Sequence, residues 1–104
     1  MITTQIFDTA RGAPAQRVPV DLDLFITGHG WREAGHGLTN LEGRVLGFGE
    51  APASGVYRMT FDVAAYMPHC FFPSIAVVFE VQNSGEDFHL PLLLSPFSYT
   101  IHRA

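Results

Sequence analysis

Chemistry has few places to reside in this sequence: five histidines, one cysteine and six scattered basic residues. His29 and His36 fall in the Gly-rich stretch GHGWREAGHG. Such a stretch is a phosphate loop only where it follows a strand and opens a helix. That context is not met, and the segment reads as a loop or turn. His69 and Cys70 are adjacent and so point opposite ways on an extended chain, and no C-x-x-C or H-x-x-x-H spacing supports zinc. No serine has a G-x-S-x-G context and Cys70 has no identifiable activating partner, so covalent catalysis has no support. Neither a metal nor another cofactor is expected. Arg44 ends the turn TNLEGR and stands at the start of a strand, where most guanidinium groups are simply solvated.

His89 and His102 differ because of where alternation puts them. In DFHLPLLL the residues Phe88, Leu90, Leu92 and Leu94 share the face a core would take, leaving His89, Pro91 and Leu93 on the other. In FSYTIHR, Phe97, Tyr99 and Ile101 share one face, and Ser98, Thr100 and His102 the opposite one. A turn at Ser95 and Pro96 that folds these strands antiparallel brings both imidazoles to one outer face. From spacing alone such a face is more often a solvated surface than a site.

The elements that must carry these residues are strands. In VPVDLDLFI, Val18, Val20, Leu22, Leu24 and Ile26 alternate with Asp21 and Asp23. VYRMTF sets Tyr57, Met59 and Phe61 against Arg58 and Thr60, and SIAVVFEV aligns Ile75, Val77, Phe79 and Val81. In the first strand, Thr3, Gln5 and Phe7 oppose Ile2, Thr4 and Ile6, and alternation does not say which set is buried. The turn SGED precedes FHLPLLL, so the last three strands read as a meander. Only DVAAYM, residues 62–67, reads as a short helix, capped by Asp62 and stopped by Pro68. The expected fold is all-β, a sandwich of two antiparallel sheets with that one helix, in a single domain over residues 1–104. A chain that is 47% hydrophobic and 15% charged is globular rather than disordered. With a net charge of -4 and no basic cluster, nucleic acid and anionic membrane are disfavoured as partners. No apolar run approaches the roughly 20 residues needed to span a bilayer. The opening MITTQIFD is no secretory signal, so a cytoplasmic protein is expected.

Several segments taken together resemble the transthyretin-like family. FDTARGAPAQRVPVDL is similar to its opening, GLTNLEGRV to its Arg-bearing turn and GVYRMTFDVAAYM to a following strand and short helix. FFPSIAVVFEV is similar to its next strand and FHLPLLLSPFSYT to its closing signature. The enzymatic members of that family are 5-hydroxyisourate hydrolases of purine catabolism, and a vertebrate offshoot carries thyroid hormone. The resemblance implies a homotetramer, a dimer of dimers, with pockets for a small heterocyclic substrate in a channel between subunits. In the hydrolases each pocket is lined by an N-terminal-strand His, an Arg in the turn, a His before the P-L-L-L run and a closing Tyr-Arg-Gly-Ser. Arg44, His89 and Arg103 match that pattern. Gln5 stands at the N-terminal His position, His102 at the Tyr and Ala104 at the Gly, while the Ser position lies beyond the chain.

Opening a cyclic acyl–nitrogen bond with water needs a base for the water and a partner for the charge left on the carbonyl oxygen. The resemblance therefore implies His89 as base and Arg44 as charge stabiliser. Gln5 would orient substrate through hydrogen bonds but cannot act as a base. The alternation that faces His89 toward the channel places Ser98, Thr100 and His102 there too, and Arg103 is expected to line the same pocket. His102 would restore the imidazole missing at Gln5. Two other readings stay open: an enzyme for another small heterocycle, and a non-catalytic ligand-binding tetramer.

Overall fold

The computed structural model describes residues 1–48 and 52–104. Among these residues nine strands are formed: β1 (Ile2–Asp8), β2 (Ala13–Pro14), β3 (Pro19–Ile26), β4 (Gly30–Leu38), β5 (Arg44–Val45), β6 (Gly55–Asp62), β7 (Ser74–Val81), β8 (Phe88–Leu94) and β9 (Tyr99–Ile101). They make a two-sheet sandwich. One sheet runs β2-β1-β8-β9, with β5 also paired to β1, and the other runs β4-β3-β6-β7. Every pairing is antiparallel except one: β1 and β8 run parallel in register, Ile2 opposite Phe88 through Asp8 opposite Leu94.

Alternation builds the core as the sequence requires. Val20 and Leu22 of β3, Tyr57, Met59 and Phe61 of β6, Ile75 and Val81 of β7, and Phe88, Leu90, Leu92 and Leu94 of β8 are all buried. The face of β1 that the sequence left undecided is settled: Ile2, Thr4, Ile6 and Asp8 point inward. Two of these are polar, and each is satisfied where it lies. Thr4 donates to the Leu90 carbonyl at 2.6 Å. The Asp8 carboxylate accepts from the Ala10 and Arg11 amides at 3.0 and 3.1 Å and from the Tyr66 hydroxyl at 2.8 Å.

Three expectations are corrected. The helix over 62–67 is a single turn: the Met67 amide reaches the Val63 carbonyl at 2.7 Å, Asp62 accepts from Ala65 at 3.3 Å, and no helix is formed among the described residues. Six residues ahead of a proline leave no room to propagate a costly helical nucleus, and Tyr66 is instead held by Asp8 and by Arg11 Nη1 at 3.0 Å. The meander is broken, because β7 pairs with β6 in the other sheet and only β8 and β9 form a hairpin. The SGED turn crosses between sheets. Finally, GHGWREAGHG is not a loop: beyond the turn at Gly28 and His29 it becomes β4, paired along all of β3 with a bulge opposite Leu22 and Asp23. One of its glycines serves a close approach within the strand rather than a turn. A Cβ on Gly35 would lie 2.6 Å from the Phe48 Cβ.

Candidate functional site on the outer face of the first sheet

The outer face of the first sheet is assembled by register. Parallel pairing sets Thr3 beside His89, Gln5 beside Pro91 and Phe7 beside Leu93. On the other edge of β1, Gln5 stands opposite Arg44 of β5. From β9, Thr100 stands opposite Leu93, and the Ala104 amide still donates to the His89 carbonyl at 2.9 Å, so the chain stays alongside β8 past Ile101. His102 therefore comes level with Pro91. A row across four adjacent segments results: Arg44, Gln5, Pro91 and His102, with His89 and Thr3 one step along.

The turn that presents Arg44 is tied down on all sides. Asn40 Oδ1 accepts from the Glu42 and Arg44 amides at 2.9 and 3.0 Å, and the Asn40 amide donates to the Arg44 carbonyl at 2.9 Å. Gly43 sits at φ 76°, and its carbonyl accepts from the Ile6 amide at 2.8 Å. Gln5 Nε2 donates to the Glu42 carbonyl at 3.1 Å, and among the described residues the amide oxygen of Gln5 has no partner. That oxygen is an acceptor offered to a ligand N–H, while Arg44 offers donors.

His89 is half-buried, and its Nδ1 lies 2.8 Å from Thr3 Oγ1. Burial pushes its pKa below the ordinary histidine value, and the neighbouring Arg44 and His102 charges push it the same way. The imidazole is thereby kept neutral and available as a base near physiological pH.

Not every expected residue joins this group. Thr100 is on the face but further along β9, beside Leu93. Ser98 is engaged at the hairpin tip, where its hydroxyl lies 2.8 Å from that of Ser95. Arg103 is turned away from the row: it pairs with Glu86 at 2.9 Å, stacks 4.5 Å from the Phe88 ring centroid, and borders a cleft lined by Val77, Phe79, Leu90 and Ile101, which His102 also borders. One residue of the face was missed. Thr3 shares its side with Gln5 by alternation, but only the parallel register brings it against His89. Among the described residues no three metal-ligating side chains gather.

Comparison with known proteins bears on the fold and the family. The uric acid degradation bifunctional protein TTL of Arabidopsis thaliana is 41% identical over 117 residues, covering 98% of this chain and 36% of that protein. The chain thus spans about a third of that relative. The 5-hydroxyisourate hydrolase of Mus musculus is 38% identical over 110 residues, covering 98% of this chain and 92% of that enzyme. Among solved structures, sea bream transthyretin in complex with thyroxine superposes with a TM-score of 0.93 at 31% identity, covering 99% of this chain and 93% of that one. The model of the HIUase/Transthyretin family matches residues 2–104, and the chain belongs to that family.

Proposed function

We propose that this chain is a cyclic amidohydrolase that opens 5-hydroxyisourate to 2-oxo-4-hydroxy-4-carboxy-5-ureidoimidazoline in urate catabolism. The observation that carries the reading is the row of Arg44, Gln5 and His102 on one face with a half-buried His89 whose pKa is lowered. His89 takes a proton from water as the oxygen attacks the ring carbonyl. Arg44 stabilises the negative charge that develops on the carbonyl oxygen, and the ring C–N bond breaks as its nitrogen collects the proton from His89. Gln5 accepts a hydrogen bond from a substrate N–H. His102 supplies, from the segment after β9, the second imidazole that the family pattern places where Gln5 stands. Hydrolase relatives covering most of this chain support the substrate.

The test is turnover of freshly generated 5-hydroxyisourate. His89→Ala is expected to lose about a hundredfold or more in kcat, the order that removing a general base costs. His102→Ala is expected to fall substantially, and Gln5→His to compensate for it in the double variant. Full activity of His102→Ala would sink the relocated-imidazole assignment.

The working form in this reading is a homotetramer, a dimer of dimers, with the site closed between subunits and the protein in the cytoplasm. No helix among the described residues is long and apolar enough to cross a membrane. A second reading, a carrier of a small ligand, is favoured by the likeness to a thyroxine-bound transthyretin. Tight binding of an apolar aromatic ligand by a chain inert toward 5-hydroxyisourate would select it.

A further inference from the structure

We infer that Thr3 is a positioning residue that holds His89 in the tautomer protonated at Nδ1, so that Nε2 is the atom that takes the proton from water. The inference rests on the hydrolase reading of His89. Thr3 and His89 are direct partners in the parallel β1–β8 ladder, both half-buried on its outer face, and Thr3 Oγ1 lies 2.8 Å from His89 Nδ1. The same hydroxyl is placed to donate to the Phe88 carbonyl at 3.5 Å. A hydroxyl has one hydrogen and two lone pairs. The 2.8 Å contact fits either direction; the inferred one turns the hydroxyl hydrogen toward the Phe88 side, so that Thr3 meets the ring as an acceptor and Nδ1 carries a hydrogen. Neutral imidazole in water prefers its hydrogen on Nε2, the tautomer with no lone pair where the base is needed.

The arrangement also survives the reaction. When Nε2 takes a proton both ring nitrogens carry hydrogen, and Nδ1–H still points at the Thr3 lone pair, so nothing near the ring has to rearrange. Were Thr3 instead the donor, protonating the ring would set two hydrogens against each other. Thr3 is β-branched, and its restricted χ1 keeps the hydroxyl at the ring rather than in solvent. Arg44 approaches from the other edge of β1, Gln5 is turned toward that edge and His102 comes from beyond β9, so among the described residues no other side chain forms a hydrogen bond to Nδ1.

The experiment is ring-nitrogen NMR of the uniformly 15N-labelled chain above pH 7.5, read beside turnover. The wild-type His89 ring is expected to show a protonated Nδ1 and a bare Nε2. Thr3→Val keeps the branched shape without the hydroxyl; its ring is expected to move to the Nε2-protonated form, with kcat down about tenfold and KM little changed. Thr3→Ser is expected to restore both the ring signature and most of kcat, a rescue that a purely structural role would not produce. A wild-type ring protonated at Nε2, or a Thr3→Val ring unchanged from wild type, overturns the inference whatever is turned over. The expected tautomer in a wild-type chain inert toward 5-hydroxyisourate supports the ring assignment and overturns the hydrolase reading instead.

Discussion

At the residue scale the decisive group is His89, because its neutrality is built from its neighbours. Burial acts first, then the Arg44 charge of β5, then the His102 charge beyond β9. In the unfolded chain the same ring titrates at its ordinary 6.5. The folded value lies lower, so the unfolded state binds the proton more readily. Stability from this residue is therefore fully present above 6.5 and is lost as pH falls from there through the folded value. Activity follows the same sign: the base survives into mildly acidic solution, and the acid limb of kcat/KM lies below 6.5. Titrating the ring by NMR should give a midpoint under 6.5 that rises in Arg44→Gln and rises less in His102→Ala. A midpoint unmoved by either change would remove both cations from the account.

At the element scale the site depends on β1, which joins the Arg44 turn on one edge to β8 on the other. Period two revealed the outward residues of β8 and β9, and so His89 and His102 were legible as a pair. Arg103 was placed with them by motif position, yet alternation from Tyr99 and Ile101 already turns it away from the row, where Glu86 and Phe88 hold it. Thr3 was not legible, because strand pairing is set by tertiary contacts and a parallel β1–β8 ladder has no local turn to announce it. The short helix failed for a related reason: Ala64 and Ala65 favour helix, but Asp8 and Arg11 capture Tyr66 and end the segment after one turn. Gly43 has φ 76°, and a Cβ there would run into the Ile6 carbonyl oxygen and approach the Pro14 Cβ at 3.2 Å. Gly43→Ala should cost on the order of 2 kcal/mol in chemical denaturation. Because the shifted turn carries Arg44 with it, kcat/KM should fall with KM rising, while the His89 ring signals keep their positions. Unchanged stability would mean that the turn yields where the packing says it does not.

At the scale of the whole molecule, the two outer faces of the sandwich are not alike. On the second sheet Arg58 pairs with Asp23 at 3.1 Å and lies 4.4 Å from the Trp31 ring centroid, so that guanidinium is answered within the chain. On the first sheet Arg44 and His102 are exposed, and Phe7 and Leu93 stand beside them 37% and 42% exposed. A hydrolytic site that works by a lowered pKa and a guanidinium aimed at developing charge gains strength when bulk water is excluded, since charges act more strongly at low dielectric. One chain alone leaves that face open, and the proposed tetramer closes it by setting two such faces against each other. A stable contact needs about 800 Å² from each partner, an area this face can supply only if its apolar members take part. Leu93 is the residue to alter, being outward, apolar and outside the reacting group. Leu93→Glu places like charges across the contact without touching the core, so the fold should persist by circular dichroism. Light scattering should then find a tetramer for the wild type and a smaller species for the variant. Turnover should fall about a hundredfold although Arg44, Gln5, His89 and His102 are all present. A Leu93→Glu chain that stays fully active as the smaller species would show that one sandwich carries the whole site.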